Sequence, residues 1–238
     1  MESVKNKNML IAGASGGIGA ATARLLSGSG ATVFLAGRNA EKLQALATTC
    51  NIPAEQIFVA ELSDANEVNA MAAKVHAIIP QLDILINASG IGIIKPIEAL
   101  SSEDFIKTIN TNLVGSFFLV KAFLPKMKET KKGLIINIPG VLGKVPMAGA
   151  AAYSASKYGL VGMMQSIREE LKRTEIRITN LYLGGVDSPF WDAIDLRVQR
   201  EKMIQAEEAA KAIWFLCQQP VSGVVSEMVL QPFNHQAI

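Results

Sequence analysis

The sequence predicts an α/β fold in which helices cover both faces of a doubly wound, Rossmann-like parallel sheet. Short apolar runs alternate with longer helix-forming segments along the whole chain, which is typical of such sheets. No repeat, linker or shift in composition marks a boundary, so we expect a single domain over residues 1–238. Ligands of these sheets bind at the carboxyl ends of the strands, so the residues that follow each strand are the candidate site.

The individual elements follow from the apolar runs and from the caps and breakers between them. The predicted strands are residues 9–12, 31–36, 57–60, 83–86, 133–138, 176–183 and 228–231. One helix is predicted directly after the glycine-rich turn at residues 13–19, and the others at residues 41–48, 64–79, 101–127, 151–173 and 207–217. Asp64 is a suitable N-cap for the third helix, and the SSED run from Ser101 is a capping signal for the fourth.

Composition and charge narrow the function classes. The net charge is +2 with no block of like charge, so neither nucleic acid nor a membrane surface is an expected partner. No apolar run approaches the roughly 18 residues of a membrane span, and the N-terminus lacks a signal-peptide core, so we expect a cytoplasmic protein. His76 and His235 lie near no Cys or paired acid, which argues against a metal site and a Ser-His-Asp triad. Cys50 and Cys217 share no motif and are expected to be ordinary thiols.

The glycine-rich turn GASGGIG, at residues 13–19, joins the first predicted strand to a helix. The free N–H groups and the dipole at a helix N-terminus favour an anion such as a phosphate. The spacing differs from the G-x-G-x-x-G fingerprint, so a flexible turn with glycines for packing is the alternative.

The second predicted strand ends at Gly37-Arg38-Asn39, where dinucleotide folds commonly select their cofactor. An acid at this position binds the ribose hydroxyls of NAD, whereas an arginine accepts the 2′-phosphate of NADP. There is no acid in this run, and the guanidinium of Arg38 suits a phosphate. We therefore favour NADP over NAD, with an ordinary exposed loop arginine as the alternative.

Tyr153 and Lys157 are spaced by four residues, which places them on one helical face, one turn apart. A nearby ammonium favours the phenolate, so we expect the pKa of Tyr153 to lie below its ordinary value near ~10. Such a tyrosine could exchange a proton with a substrate oxygen at neutral pH. The alternative is an ordinary surface pair.

With these residues in place, the chain resembles a short-chain dehydrogenase/reductase over nearly its whole length. The marks are the GASGGIG turn, Asn87-Ala88-Ser89-Gly90 after the fourth strand, Asn112 in NTNLVG, the Tyr153–Lys157 pair and the GGVDS loop from Gly184. Five such marks in the right order are specific, although each alone is weak.

The resemblance implies a role for each of these positions. Tyr153 would be the proton donor in reduction and the acceptor in oxidation, Lys157 would hold the nicotinamide ribose, and Asn112 would order a water in the proton relay. The implied cofactor contacts, from the pyrophosphate through the 2′-phosphate, adenine and ribose to the carboxamide, are Gly13, Ser15, Gly17, Ile18, Gly19, Arg38, Asn39, Glu61, Leu62, Asn87, Ala88, Gly90, Tyr153, Lys157, Gly184, Val186 and Ser188.

The most informative departure from the family pattern is Gly140, thirteen residues before Tyr153, where the family has a serine that binds the substrate oxygen. Loss of one such donor commonly lowers the rate about 10²- to 10³-fold. Pro139 also removes a main-chain N–H that could have served instead. Gly140, Phe190 and Trp191 are the expected substrate contacts.

The sequence therefore predicts an NADP(H)-dependent oxidoreductase that interconverts a carbonyl and a secondary alcohol. The alternative is a catalytically weakened NADPH-binding or regulatory protein with the same fold, which Gly140 favours. A methyltransferase would leave the Tyr153–Lys157 pair without a purpose. In the family, the helices predicted at 101–127 and 151–173 form a subunit interface, which implies a homodimer or homotetramer; the alternative is that both helix faces pack on the sheet.

Overall fold

The computed structural model describes residues 2–220 and 222–234. The strands are β1 (Asn8–Ala12), β2 (Thr32–Gly37), β3 (Ile57–Val59), β4 (Ile84–Asn87), β5 (Lys132–Asn137), β6 (Glu175–Leu183), β7 (Val186–Asp187), β8 (Ile204–Gln205) and β9 (Glu227–Leu230). Seven of them form one parallel sheet in the order β3-β2-β1-β4-β5-β6-β9, and β7 pairs with β8 in a separate ribbon. The predicted doubly wound parallel sheet is confirmed.

Within the described residues, seven α-helices cover the sheet. They are α1 (Gly17–Gly28), α2 (Ala40–Cys50), α3 (Ala65–Ile78), α4 (Ser102–Ile109), α5 (Gly115–Thr130), α6 (Ala151–Glu170) and α7 (Ala206–Leu216). Successive strand residues point to opposite faces, so β1 contributes Leu10 to one core and Met9 and Ile11 to the other. The first core packs under α3, α5 and α6, and the second under α1, α2 and α7.

The predicted boundaries and caps agree closely with the structure. Each predicted strand is present with ends that differ by at most one residue. The Asp64 carboxylate accepts hydrogen bonds from the N–H groups of Asn66 and Glu67 at 2.7 and 3.2 Å. The Ser101 hydroxyl accepts one from the Asp104 N–H at 3.1 Å. Both predicted N-caps are therefore confirmed.

The helix predicted at residues 101–127 is not one regular α-helix, so that prediction was wrong. A π turn at Asn110–Val114 separates α4 from α5. In this turn the Asn112 amide accepts a hydrogen bond from the Ile91 N–H at 2.8 Å and donates to the Ile91 carbonyl and the Ser156 hydroxyl at 2.9 and 3.0 Å. π turns often occur at functional sites, and this one ties the loop after β4 to α6.

Candidate active site

A cleft of about 830 Å³ opens at the carboxyl ends of the strands. It has two sides. The glycine side consists of Gly13, Ser15, Gly17, Ile18, Gly19, Arg38, Lys42 and Glu61, and the aromatic side of Gly140, Leu142, Met147, Tyr153, Phe190 and Trp191.

Nearly all the residues predicted from the sequence line this one cleft. They are Gly13, Ser15, Gly17, Ile18, Gly19, Arg38, Asn39, Glu61, Leu62, Ala88, Gly90, Gly140, Tyr153, Lys157, Gly184, Val186, Ser188, Phe190 and Trp191.

Two predicted residues, Asn87 and Asn112, are buried behind the cleft wall rather than in it. The Asn87 amide donates to the Ser116 hydroxyl at 2.7 Å, and its oxygen accepts from the Ser89 hydroxyl at 2.6 Å. Asn87 therefore lies beneath the cleft floor, and its predicted contact with the ribose stays a prediction. The side chain of Asn112 holds Ile91 and Ser156 in place, and its amide oxygen, which accepts one described hydrogen bond, retains a second lone pair, so the predicted role in ordering a water stays a prediction.

The glycine turn is shaped by close main-chain contacts. Gly13 has φ of +83°, and a Cβ there would lie 2.7 Å from the Ala88 oxygen. A Cβ at Gly19 would lie 2.3 Å from the Gly13 oxygen. No described residue accepts a hydrogen bond from the N–H groups of Gly17, Ile18 and Gly19 in the first turn of α1. These N–H groups and the helix dipole suit a phosphate.

Arg38 lies at the end of β2 and is not isolated. Its Nη1 lies 3.4 Å from Oε2 of Glu61, with side-chain exposures of 54% and 36%. Burial of the Glu61 carboxyl acts to raise its pKa, but hydrogen bonds from the Ser63 N–H and hydroxyl, together with Arg38, hold that pKa below its ordinary value. The run after β2 has no acid, yet an ionised carboxylate from the end of β3 stands beside the arginine.

Asn39 caps α2, since its side-chain oxygen accepts from the Lys42 N–H at 2.8 Å. That bond occupies the Asn39 oxygen and leaves its amide nitrogen as the group that could meet a phosphate. Lys42 also lines the cleft and supplies a second cation near Arg38. In the sequence, only its position three residues after the Asn39 cap could have indicated that Lys42 lies at the cleft.

Tyr153 and Lys157 line the cleft from the first turns of α6, with the Lys157 Nζ 5.5 Å from the centre of the Tyr153 ring. The same Nζ donates to the Ile138 carbonyl at 3.2 Å. Burial raises the pKa of Tyr153 above its ordinary value, and burial lowers the pKa of Lys157 to about 8. The expected lowering of the tyrosine pKa is therefore wrong for the protein alone, because desolvation outweighs attraction to an amine that is itself losing charge.

Gly140 has φ of +69° and ψ of 172°, and it precedes a 3₁₀ turn at Val141–Gly143. This region of backbone conformation is open essentially to glycine alone. The loop after β5 is therefore shaped for a glycine, and a serine could not enter it without strain.

Phe190 and Trp191 form the outer wall of the aromatic side. The Phe190 ring lies 5.9 Å from that of Tyr153 and 5.4 Å from that of Trp191. Phe190 fits there because residue 92 is a glycine, whose Cβ would lie 2.3 Å from the Phe190 Cζ. The Trp191 indole donates to the Val186 carbonyl at 2.9 Å, which fixes the wall to β7.

Sequence reasoning missed several residues that line the cleft. Ile94 lies on an irregular segment that no periodicity marks, and Thr111 lies in the π turn, inside the predicted fourth helix. The missed residues also include Leu142, Met147, Leu196, Arg197, Gln199, Lys202 and Met203.

Within residues 2–220 and 222–234, no three His, Cys, Asp or Glu side chains converge in a group that could hold a metal ion. His235 lies outside the described residues. In the same part of the chain, no helix has the length and apolar character needed to cross a bilayer.

The fold and this cleft define the class of Rossmann-like oxidoreductases. The family model described as short chain dehydrogenase matches residues 7–198. An uncharacterized oxidoreductase of Staphylococcus epidermidis is 31% identical over 98% of this chain and 100% of its own. A 3-oxoacyl-[acyl-carrier-protein] reductase of Rickettsia conorii is 34% identical over 96% of each chain. The crystal structure of a metagenomic short-chain oxidoreductase in complex with NADP superposes with a TM-score of 0.83 and 32% identity, over 97% of this chain and 99% of that one.

The chain therefore belongs to the short-chain dehydrogenase family.

Proposed function

We propose that the protein is an NADP(H)-dependent oxidoreductase that interconverts a carbonyl and a secondary alcohol. The observation that carries this proposal is that Tyr153 and Lys157 line the same cleft as the free first turn of α1. Support also comes from the similar metagenomic oxidoreductase, whose structure contains NADP, and from the Rickettsia relative, which is named as a reductase of 3-oxoacyl groups.

The residues of the glycine side fit a dinucleotide phosphate. The N–H groups of the first turn of α1 would bind the pyrophosphate, and Arg38 and Lys42 would bind the 2′-phosphate. Lys157 makes one described hydrogen bond, to Ile138, so its amine retains capacity for the nicotinamide ribose. Val186 and Ser188 would contact the carboxamide.

In the proposed reaction, the main chemical task of the protein itself is to transfer one proton at the Tyr153 hydroxyl. The nicotinamide, when bound, supplies or accepts the hydride. In reduction the Tyr153 hydroxyl donates a proton to the substrate oxygen, and in oxidation it takes that proton back. The raised pKa keeps Tyr153 protonated at neutral pH, which is the form that reduction requires. Asn112 contributes by holding Ile91 and Ser156, on either side of this centre.

The second candidate is a protein that binds NADPH but turns over little. Gly140 favours it, because no hydroxyl projects from the end of β5 toward the substrate oxygen. The backbone conformation at Gly140 strengthens this alternative, since the loop cannot easily regain a serine.

The decisive experiment measures carbonyl-dependent consumption of NADPH over ketones, diketones and 3-oxoacyl thioesters, alongside the NADPH dissociation constant. Tyr153→Phe keeps the ring and removes the hydroxyl, so it should retain binding within about threefold and lose about 10²- to 10⁴-fold in turnover. NADPH binding without turnover of any carbonyl would favour the second candidate. Failure to bind either NADPH or NADH would contradict both candidate functions.

We also propose that the protein forms a homodimer or homotetramer through α5 and α6. Phe117, Tyr158 and Gly162 are exposed on these helices, and exposed apolar residues are candidates for an interface. Light scattering at micromolar concentration should give a multiple of the 25.5 kDa chain mass; a monomeric mass would contradict the proposal.

A further inference from the structure

The segment from β7 to β8, residues 186–205, covers one end of the cleft, and we call it the covering segment. It contains Ser188, Phe190 and Trp191, which line the cleft. It has no α-helix: two 3₁₀ turns, Pro189–Ala193 and Arg200–Lys202, are its regular structure between the two short strands. Its two ends pair as β7 and β8, but between them the described main-chain hydrogen bonds are local ones within short turns, so side chains are needed to fix the position of the middle of the segment.

Arg200 makes three hydrogen bonds within the covering segment, one from each nitrogen of its guanidinium. Nε donates to the Asp187 carboxylate and Nη1 to the Asp192 carboxylate, each at 2.6 Å, and Nη2 donates to the Ser188 carbonyl at 3.0 Å. The planar fork of an arginine can serve three acceptors in fixed directions, which a lysine ammonium cannot match. Arg200, near the end of the segment, is therefore bonded to three residues in its first half.

The residue that Arg200 holds most directly is Ser188, which is buried. Ser188 packs against the first residue of α1, since a Cβ at Gly17 would lie 2.6 Å from the Ser188 Cβ. Arg200 itself does not line the cleft. Any effect it has on a ligand must therefore pass through Ser188 and its neighbours.

An ion pair between half-exposed side chains contributes little stability on its own. Arg200 and Asp192 are both substantially exposed. This arrangement differs because the same guanidinium also binds the main chain of a buried residue. These bonds of Arg200 fix the position of the covering segment. A segment that is already held in its ligand-bound position loses less conformational entropy when the ligand binds.

We propose that Arg200 is a positioning residue that holds the covering segment closed over the nicotinamide end of the cleft and so raises affinity for the whole dinucleotide. This inference rests on the proposed function, which places the nicotinamide beside Val186 and Ser188. The two ends of the cleft should then respond differently to its loss. NADPH spans both ends, whereas adenosine 2′,5′-bisphosphate reaches only the glycine side.

Calorimetric titration of the full chain with these two ligands tests the proposal. Arg200→Ala should weaken NADPH about tenfold and leave adenosine 2′,5′-bisphosphate within about twofold. The affinity of Arg200→Lys for NADPH should fall between those of the unaltered chain and Arg200→Ala. Asp192→Asn, which removes the charge of one of the three acceptors, should cost less affinity than Arg200→Ala. Arg173→Ala removes an exposed arginine just before the amino end of β6, whereas the cleft opens at the carboxyl ends of the strands, and it should change neither affinity. Equal losses for both ligands, or no loss for NADPH, would overturn the proposal.

A second readout needs no ligand. Trp191 lies in the covering segment, and Trp214 on α7 is the other of the two tryptophans. In a Trp214→Phe background, Arg200→Ala should shift the Trp191 emission to longer wavelength and increase its quenching by acrylamide, while Arg173→Ala should not.

Unchanged emission and quenching would show that Arg200 does not hold the segment. Failure of the unaltered chain to bind NADPH or NADH would instead overturn the proposed function, and the Trp191 readout would still decide whether Arg200 keeps the segment closed.

Discussion

The glycine side and the aromatic side of the cleft are built in different ways. The glycine side takes its shape from main-chain contacts, with a positive φ at Gly13 and no space for a Cβ at Gly19. The aromatic side is formed by the packed rings of Tyr153, Phe190 and Trp191, two of which lie on a segment without an α-helix. Close main-chain contacts admit few residue types, whereas side-chain packing can be met by many combinations. A short motif therefore marks the glycine side, whereas on the aromatic side the Tyr153–Lys157 pair follows a motif but the Phe190–Trp191 wall does not.

The largest effect is expected from a side chain placed in the glycine turn. Gly13→Ala combines a positive φ with a Cβ 2.7 Å from the Ala88 oxygen, so we expect a loss of about 4 kcal/mol in the free energy of unfolding and loss of cofactor binding. Urea denaturation measures it. Gly28→Ala, where nothing lies within 4 Å of the added Cβ, is the control. A change in Gly13→Ala below about 1 kcal/mol would mean that the turn is not rigid.

Charge reversal at Arg38 tests the one part of the glycine side that depends on side chains. Arg38→Glu places a second carboxylate beside Glu61, so we expect NADPH to bind about 100-fold more weakly and NADH to change by less than about threefold. Fluorescence titration with both cofactors measures this. Equal losses would show that Arg38 does not recognise the 2′-phosphate.

The pH dependence of stability reports the burial of Lys157. Its pKa of about 8 lies below the ordinary lysine value near ~10.4, so between these values the unfolded chain binds more protons than the folded one. The stability of the protein should therefore rise relative to Lys157→Met, by up to about 2 kcal/mol from about pH 7.5 to about pH 9.5. The same substitution at the exposed Lys74 is the control for loss of a lysine. A constant difference between Lys157→Met and the unaltered protein would mean that Lys157 titrates normally.

Rules that use only neighbouring residues predicted the strands and the helix caps, because neighbouring residues determine those features. Buried apolar runs identify strands, and a cap such as Asp64 needs only its own next three residues. The π turn depends instead on Asn112 meeting Ile91 and Ser156, which are 21 and 44 residues away. The three hydrogen bonds of Arg200 and the desolvation of Tyr153 are likewise visible only after the chain has folded.

The smallest effect is expected at Gly140, on the aromatic side. Because φ is +69°, both Gly140→Ala and Gly140→Ser should lose about 1.5 kcal/mol in the free energy of unfolding. The serine should not raise carbonyl turnover more than about twofold above the alanine, since the strained loop does not direct its hydroxyl to the substrate. Comparing the two variants cancels the backbone strain. A gain of about tenfold or more for serine over alanine would show that the aromatic side adapts more readily than its glycine geometry implies.

The π turn at Asn110–Val114 has a consequence for how this stretch of gene can change. A π turn holds one residue more than the α-helical turn it replaces, and each helical residue accounts for about 100° of rotation. Deletion of a single codon here would restore a regular helix and turn α4 by that angle relative to α5. Asn112 would then lose Ile91 or Ser156, although every remaining amino acid was unchanged. Between α4 and α5, the number of residues is therefore constrained as well as their identity.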